Sequence, residues 1–312
     1  MNDYLLSVIL GIIEGLTEFL PVSSTAHLRI SEALLHIDLG NGYWKMFSIV
    51  IQLGAILCLP IYFRDRIAEF VRDFPHGKRG DRTVMNHPLT LTMIAFVVTA
   101  IPAFLLTKVI GKHLESLTIM GTSLIVGGIV MWVVDAAYER SQHKAMAKAA
   151  GVGASIAVAP RNMFGGRLTT DMEDMSIGQA VWIGFCQIFS AVFPGTSRSM
   201  STITGGELAG MDRPSALEFS FFLSIPTMVV ATFYDLFKSM RPHHGEASAI
   251  GSMPSDAHSW IVLAIGFVVS FIVAYGVVAW FMNWVRTRGF TLFAIYRIVV
   301  GAAVLWWFRG MA

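Results

Sequence analysis

Charge is what this sequence has least of. Asp, Glu, Lys and Arg make up 14% of its 312 residues, where a soluble domain carries about 25%. Apolar residues reach 54%, and they fall in blocks long enough to demand lipid, which excludes a globular enzyme of this length. Cysteine is nearly absent too. The two present, Cys58 and Cys186, lie in apolar stretches without metal-ligand spacing, so they read as buried thiols. There is no Walker loop, no Cys/His cluster and no soluble nucleotide domain, and a formal charge of +2 gives no reason to expect nucleic acid. A cleavable leader is not expected, because the first apolar stretch lacks a basic flank and carries Glu14 and Glu18.

What is present is an all-α integral membrane pattern. Six stretches, 43–63, 88–108, 116–137, 215–237, 258–284 and 291–309, are read as transmembrane helices, with aromatic residues such as Trp44, Trp260 and Trp306 at their ends. Two further apolar stretches stop at proline and continue into hydroxyl-rich sequence, Pro21-Val-Ser-Ser-Thr-Ala-His27 and Pro194-Gly-Thr-Ser-Arg-Ser199. Irregular backbone at membrane depth needs cover from protein or a watery cavity. Residues 4–38 and 176–209 are therefore read as re-entrant hairpins that meet at mid-depth.

The halves resemble each other. Gly11, Glu14, Pro21 and Ser24 recur as Gly184, Gln187, Pro194 and Ser197 at one constant offset, which also aligns Thr25 with Arg198. Phe47-Ser48 and Tyr62 recur as Phe219-Ser220 and Tyr234 with the offset one shorter. The expected organisation is an inverted repeat, 1–137 and 176–312, each half one hairpin plus three spans, joined by a linker at 138–175 with mobile stretches. Basic residues gather in loops 64–87 and 138–177 and at Arg286 and Arg288. That side is expected to be cytoplasmic, with both termini and the first hairpin opening outward and the second hairpin inward.

The chemistry-bearing residues sit in the two breaks. Glu14 and Glu18 share one helix face, and two carboxylates so close in a low dielectric require a proton or a bridging cation. Mg²⁺ or Ca²⁺ suits their hard oxygens, and Glu residues facing interfacial water are the plainer alternative. Ser23, Ser24 and Thr25 can build an anion pocket at a helix start or simply cap it. His27, one turn in, has the chemistry of a general acid or base. Arg198, flanked by Thr196, Ser197 and Ser199, calls for a phosphate, or for an ion pair with Glu14 or Glu18. Glu218 reads as the far end of a capping box opened by Ser215. Arg297, inside the last span, needs a partner and is read as structural. Gln52, Asp135 and Asp235 are read as packing residues, and Gly127-Gly128 and Gly205-Gly206 as close helix contacts.

Glu14-Gly-Leu-Thr-Glu18-Phe-Leu-Pro-Val-Ser-Ser-Thr-Ala-His27 and Pro194-Gly-Thr-Ser-Arg-Ser199 closely resemble the two signature motifs of the bacterial undecaprenyl-diphosphate phosphatases, the bacitracin-resistance family. Weaker echoes are Gln52-Leu-Gly54, Glu218-Phe-Ser-Phe221 and Ala294-Ile-Tyr-Arg297. The resemblance implies hydrolysis of a polyprenyl diphosphate to the monophosphate carrier and inorganic phosphate. It further implies divalent-cation dependence, a place in the bacterial inner membrane with the site toward the periplasm, and a role in peptidoglycan synthesis. Glu14, Glu18, Ser24, His27 and Arg198 are the expected catalytic residues. Ser23, Thr25, Thr196, Ser197 and Ser199 are expected around the phosphates, and Glu14 and Glu18 on the metal. Ser24 as nucleophile and direct attack by water both remain open, and a homodimer is compatible with the sequence. Ala26 and Met200 stand where the family usually has Gly, and Met200 adds bulk beside Arg198. The competing class is a polyprenyl-phosphate transporter or flippase, which the inverted repeat suits equally well.

Overall fold

The computed structural model describes residues 2–37, 42–106, 116–151, 162, 166–240, 254 and 256–309. Among them the regular structure is helical, apart from one isolated bridge between Thr169 and Met211. Helices α1 (Asp3–Thr17) and α2 (Ser24–Leu34) form the first broken pair. They are followed by α3 (Gly42–Ile56), α4 (Cys58–Tyr62), α5 (Arg64–Asp73), α6 (Pro88–Leu105) and α7 (Leu117–Gly151). The second broken pair is α8 (Ile177–Val192) and α9 (Arg198–Leu208), and α10 (Arg213–Met240), α11 (Ala257–Thr287) and α12 (Thr291–Arg309) complete the chain.

Five segments are long and apolar enough to cross a bilayer: 42–62, 88–105, 117–144, 213–237 and 257–287. The protein is a multi-pass membrane protein. The sixth expected span is a shorter apolar helix over Thr291–Trp307, rising about 25 Å at 1.5 Å per residue. The first expected span is interrupted at Leu57 between α3 and α4, because Pro60 lacks an N–H and crowds the carbonyl of Ile56. The second ends at Leu105 in the described chain, and residues 107 and 108 lie outside the described residues.

The expected linker is in part helical. Residues 138–151 continue α7 as helix, since Ala, Lys, Glu, Met and Gln there are strong helix formers. Residues 152–161 and 163–165, on which expected mobile stretches fall, lie outside the described residues. The linker's end is tied down. Arg66 Nη2 meets Asp171 at 2.7 Å, and Arg79 and Arg82 meet Asp174 at 2.8 and 3.3 Å. Thr169 exchanges backbone hydrogen bonds with Gly210 and Asp212. The capping box at Ser215 does not form. Asp212 caps α10 by accepting from the Ser215 N–H at 2.9 Å, and Glu218 pairs with Arg66 at 3.1 Å. An earlier helix start hands the cap to the residue before Arg213.

Packing interchanges the halves: α1 lies along α11, α8 along α6, and α7 along α12. Glycines set these approaches. A Cβ on Gly11 would lie 2.8 Å from the Gly266 carbonyl, one on Gly184 2.5 Å from that of Ala95, and one on Gly128 2.8 Å from that of Ala294. Backbones this close exclude any side chain larger than hydrogen.

Asp135, fully buried on α7, organises the start of α12. Its Oδ2 accepts from the Phe290 and Thr291 N–H groups, both at 2.9 Å, and from Thr291 Oγ1 at 2.8 Å. Its Oδ1 meets Arg213 Nη2 at 2.5 Å. Asp135→Ala should therefore cost about 2–4 kcal/mol, because it strands two amides and removes one carboxylate from Arg213, which keeps Glu139 at 3.0 Å. A lower thermal unfolding midpoint of the purified protein in detergent checks this, with Asp135→Asn expected between the two.

Candidate active site

The first break begins where α1 runs out. Glu14 is completely buried, and Glu18 at the C-cap is 6% exposed. After Pro21 the chain reverses through Ser23 at φ 74°, and Ser23 caps α2 by accepting from the Ala26 N–H. The second break has the same design. Pro194 and Gly195, at φ 90°, lead to Ser197 at φ 70°, which caps α9 by accepting from the Met200 N–H. A Cβ on Gly195 would lie 2.6 Å from the Met120 carbonyl, so only glycine suits both the torsion and the space. The equivalent caps are Ser23 and Ser197. The second break is one residue longer than the constant sequence offset implies, so Ser24, not Thr25, stands opposite Arg198.

Arg297 joins the two breaks. It is fully buried on α12 and donates only to main-chain carbonyls among the described residues. Nη1 reaches Pro21 O at 2.9 Å, and Nη2 reaches Thr196 O at 2.9 Å, Gly195 O at 3.1 Å and Ser123 O at 3.2 Å. Gly127 leaves room for it, since a Cβ there would collide with the guanidinium. One cation thus fixes the first break, the second break and α7 relative to one another.

Glu18 is the hub of the side chains so placed. Its Oε2 accepts from Ser24 Oγ at 2.5 Å and from Gln52 Nε2 at 3.4 Å, while Oε1 meets Arg198 Nη2 at 2.9 Å. The backbone carbonyl of Glu18 accepts from Ser199 Oγ at 3.2 Å. Arg198 keeps two buried donors, Nε and Nη1, without a protein acceptor, and both Glu14 oxygens lack a donor. The charged groups acting on Glu14 are led by the Glu18 carboxylate, with Arg198 opposing it. The site therefore offers unused anion-binding capacity on Arg198 beside unused cation-binding capacity on Glu14.

The structure brings Glu14, Glu18, Ser24 and Arg198 together and turns His27 aside. His27 Nδ1 lies 2.8 Å from the Ser23 carbonyl, which can only accept, so this nitrogen carries the hydrogen. Nε2 lies 2.7 Å from the Tyr296 hydroxyl, and the two rings stack 9° from parallel. Of the five residues expected around phosphate, Ser23 and Ser197 spend their hydroxyls as caps and Ser199 on the Glu18 carbonyl. Buried Thr196 lends its carbonyl to Arg297, and Thr25 is half-buried in the first turn of α2. Gln52 and Tyr296 were not expected here. Gln52 belongs to a motif echo, and Tyr296 adjoins Arg297 in another.

A match to the family model described as bacitracin resistance protein BacA covers residues 7–303. The chain belongs to that family. It is 66% identical over 307 residues to the undecaprenyl-diphosphatase of Koribacter versatilis (strain Ellin345), covering 98% of this chain and 99% of that protein. It is 38% identical to the undecaprenyl-diphosphatase of Ralstonia pickettii (strain 12J), covering 96% and 93%. It is 39% identical to that of Sorangium cellulosum (strain So ce56), covering 96% and 85%.

Against the family pattern, the bulk of Met200 is accommodated away from the Arg198 head. Met200 is buried and reaches Gly127, where an added Cβ would lie 2.6 Å from its Cε. Ala26 is fully buried against Met120 and Leu124. Arg297→Met should remove the cation that ties both breaks to α7 and leave buried carbonyls unpaired, costing about 3–5 kcal/mol. The check is a fall in the thermal midpoint together with protease cleavage at one of the two breaks.

Proposed function

We propose that this chain hydrolyses undecaprenyl diphosphate to undecaprenyl phosphate and inorganic phosphate, returning the lipid carrier to peptidoglycan synthesis and conferring bacitracin resistance. The observation that carries the reading is the contact between the Ser24 hydroxyl and Glu18 at 2.5 Å, beside the two unpaired donors of Arg198. Nucleophile, base and charge stabiliser share one buried place. Relatives named undecaprenyl-diphosphatase that match nearly the whole chain give the substrate class.

Glu18 takes the Ser24 proton as Oγ attacks the terminal phosphorus. The bond to the bridging oxygen breaks, and undecaprenyl phosphate leaves. Water then cleaves the phosphoserine and restores Ser24. Arg198 neutralises charge on the transferred phosphoryl oxygens, and its ion pair with Glu18 holds that carboxylate toward Ser24. His27 exchanges a proton through Nε2, the nitrogen not locked to the backbone. We infer a divalent cation, Mg²⁺ or Ca²⁺, at Glu14 and Glu18. Glu14 has no donor on either oxygen, although no cluster of three or more acidic, His or Cys ligands occurs among the described residues. Such an ion would draw its other ligands from water and phosphate and offset their charge.

Several observations support an inverted repeat: matching broken pairs, equivalent Ser caps, and the interchange in which α1 packs on α11 and α8 on α6. The site is proposed to lie in the bacterial inner membrane and open to the periplasm, with the basic residues around α5 and Arg286 on the cytoplasmic side.

Purified protein in detergent, given a polyprenyl diphosphate and Mg²⁺ or Ca²⁺, should release phosphate. Glu18→Ala and Arg198→Ala should each lower the rate by about 10²–10³-fold, and Glu14→Gln should raise the cation concentration needed for half-maximal rate. Brief quenching should trap phosphate on Ser24. A wild type that binds the lipid but releases no phosphate would leave a transporter or flippase as the reading, and full activity in Arg198→Ala would sink the mechanism.

A further inference from the structure

His27 is held by two unlike partners. The Ser23 carbonyl is part of a capped, buried turn and fixes Nδ1–H at 2.8 Å. The Tyr296 hydroxyl, 2.7 Å from Nε2, belongs to a side chain 44% exposed on α12. One nitrogen is locked to the scaffold, and the other is held by a group that can move. A phenol hydroxyl both donates and accepts. It can donate to Nε2 of the neutral ring, and by turning over it can accept from Nε2–H of the imidazolium. A backbone carbonyl cannot do this.

We propose that Tyr296 is the positioning residue for His27. It keeps the ring plane and Nε2 in place in both protonation states, and it lets His27 hold a proton in surroundings that oppose one. The other groups facing the ring do not supply that help. Arg297, on α12, is the cation whose field opposes a charge on it. At the end of α1, Glu18 is committed to Ser24 and Arg198, and Glu14 faces Glu18. Arg29 on α2 pairs with Glu32 at 2.9 Å. From Leu117 to Val134, α7 carries no ionisable residue. The stacking of the rings, with centroids 5.6 Å apart, would survive loss of the hydroxyl. Tyr296→Phe therefore isolates the hydrogen bond.

The sign follows from the two bonds. A hydrogen bond to a charged group is stronger than one between neutral groups, so the hydroxyl favours the imidazolium over the neutral ring. Removing it should lower the His27 protonation midpoint by about 0.5–1 pH unit. The functional half of the inference rests on the phosphatase reading, so two measurements are needed. Side-chain ¹⁵N-histidine NMR of the full chain in detergent, with His27 assigned by His27→Gln, gives the midpoint independently of turnover. The pH profile of kcat on a polyprenyl diphosphate gives the functional limb.

In Tyr296→Phe both should move to lower pH together, with KM changed less than about 3-fold, since the partner of the hydroxyl is His27. A midpoint that stays or rises overturns the proposal. A lowered midpoint with an unmoved rate profile overturns the positioning role. If the wild type releases no phosphate while the midpoint still falls, the phosphatase reading fails and the hold of Tyr296 on His27 stands.

Discussion

Everything at the centre of this protein depends on a buried cation that no carboxylate among the described residues neutralises. Taking a guanidinium out of water costs several kcal/mol, and the cost is met only if its donors find acceptors of good geometry. Arg297 finds them in the carbonyls of Pro21, Gly195, Thr196 and Ser123. Those of Pro21, Gly195 and Thr196 are free because proline and the reversed torsions at Ser23 and Ser197 end the preceding helices there, whereas Ser123 lies within α7, where Gly127 leaves room for the guanidinium. The breaks expose acceptors, and the arginine needs acceptors. Each defect makes the other tolerable at membrane depth. The same clamp sets Glu18, just before Pro21, against Arg198, just after Thr196.

Given that frame, the two broken pairs divide the chemistry. The α1–α2 pair brings Glu14, Glu18 and Ser24, and the α8–α9 pair brings Arg198 where the first has Ser24. Gln187, aligned with Glu14, is likewise buried, but its amide donates to Thr227 at 3.2 Å. An amide is neutral and supplies its own donor, so it is buried at a lower cost than a charge even though the Gln187 Oε1 has no donor among the described residues. A carboxylate in the same kind of place has only acceptors to offer. The change from Gln to Glu between like positions places a second buried carboxylate in the first pair, where the second pair has a neutral amide.

The composition and the two proline breaks made the membrane class, the helical content and the location of the candidate site legible in the sequence. Arg198 and Glu18 could be paired in advance because both are side-chain charges. The role of Arg297 was not legible, since its acceptors are main-chain carbonyls, which every residue carries and no pattern marks. His27 shows a second limit. Three residues past Ser24, it reads as a neighbour of the nucleophile, yet its ring turns to Tyr296, 269 positions along the chain. The register of the second break was misread by one residue because glycine and proline set break length through torsion, not through periodicity. Within the expected linker, the helix over residues 138–151 was not read in advance, although Ala, Lys, Glu, Met and Gln there favour helix.

The partners of Glu18 bear on how the two carboxylates share their work. Glu18 already accepts from Ser24, Arg198 and Gln52, so its lone pairs are largely committed. Glu14, one helical turn earlier, has both oxygens free of donors. Two carboxylates one turn apart repel in a low dielectric, and Arg198 can offset only part of that charge while it also faces a phosphate. A proton or a cation at the carboxylate without donors relieves that repulsion. Glu14 therefore has oxygens to spare, and Glu18 holds the contact to Ser24. In the proposed reaction the cation would rest mainly on Glu14 and the base would be Glu18, so two adjacent carboxylates differ through their partners.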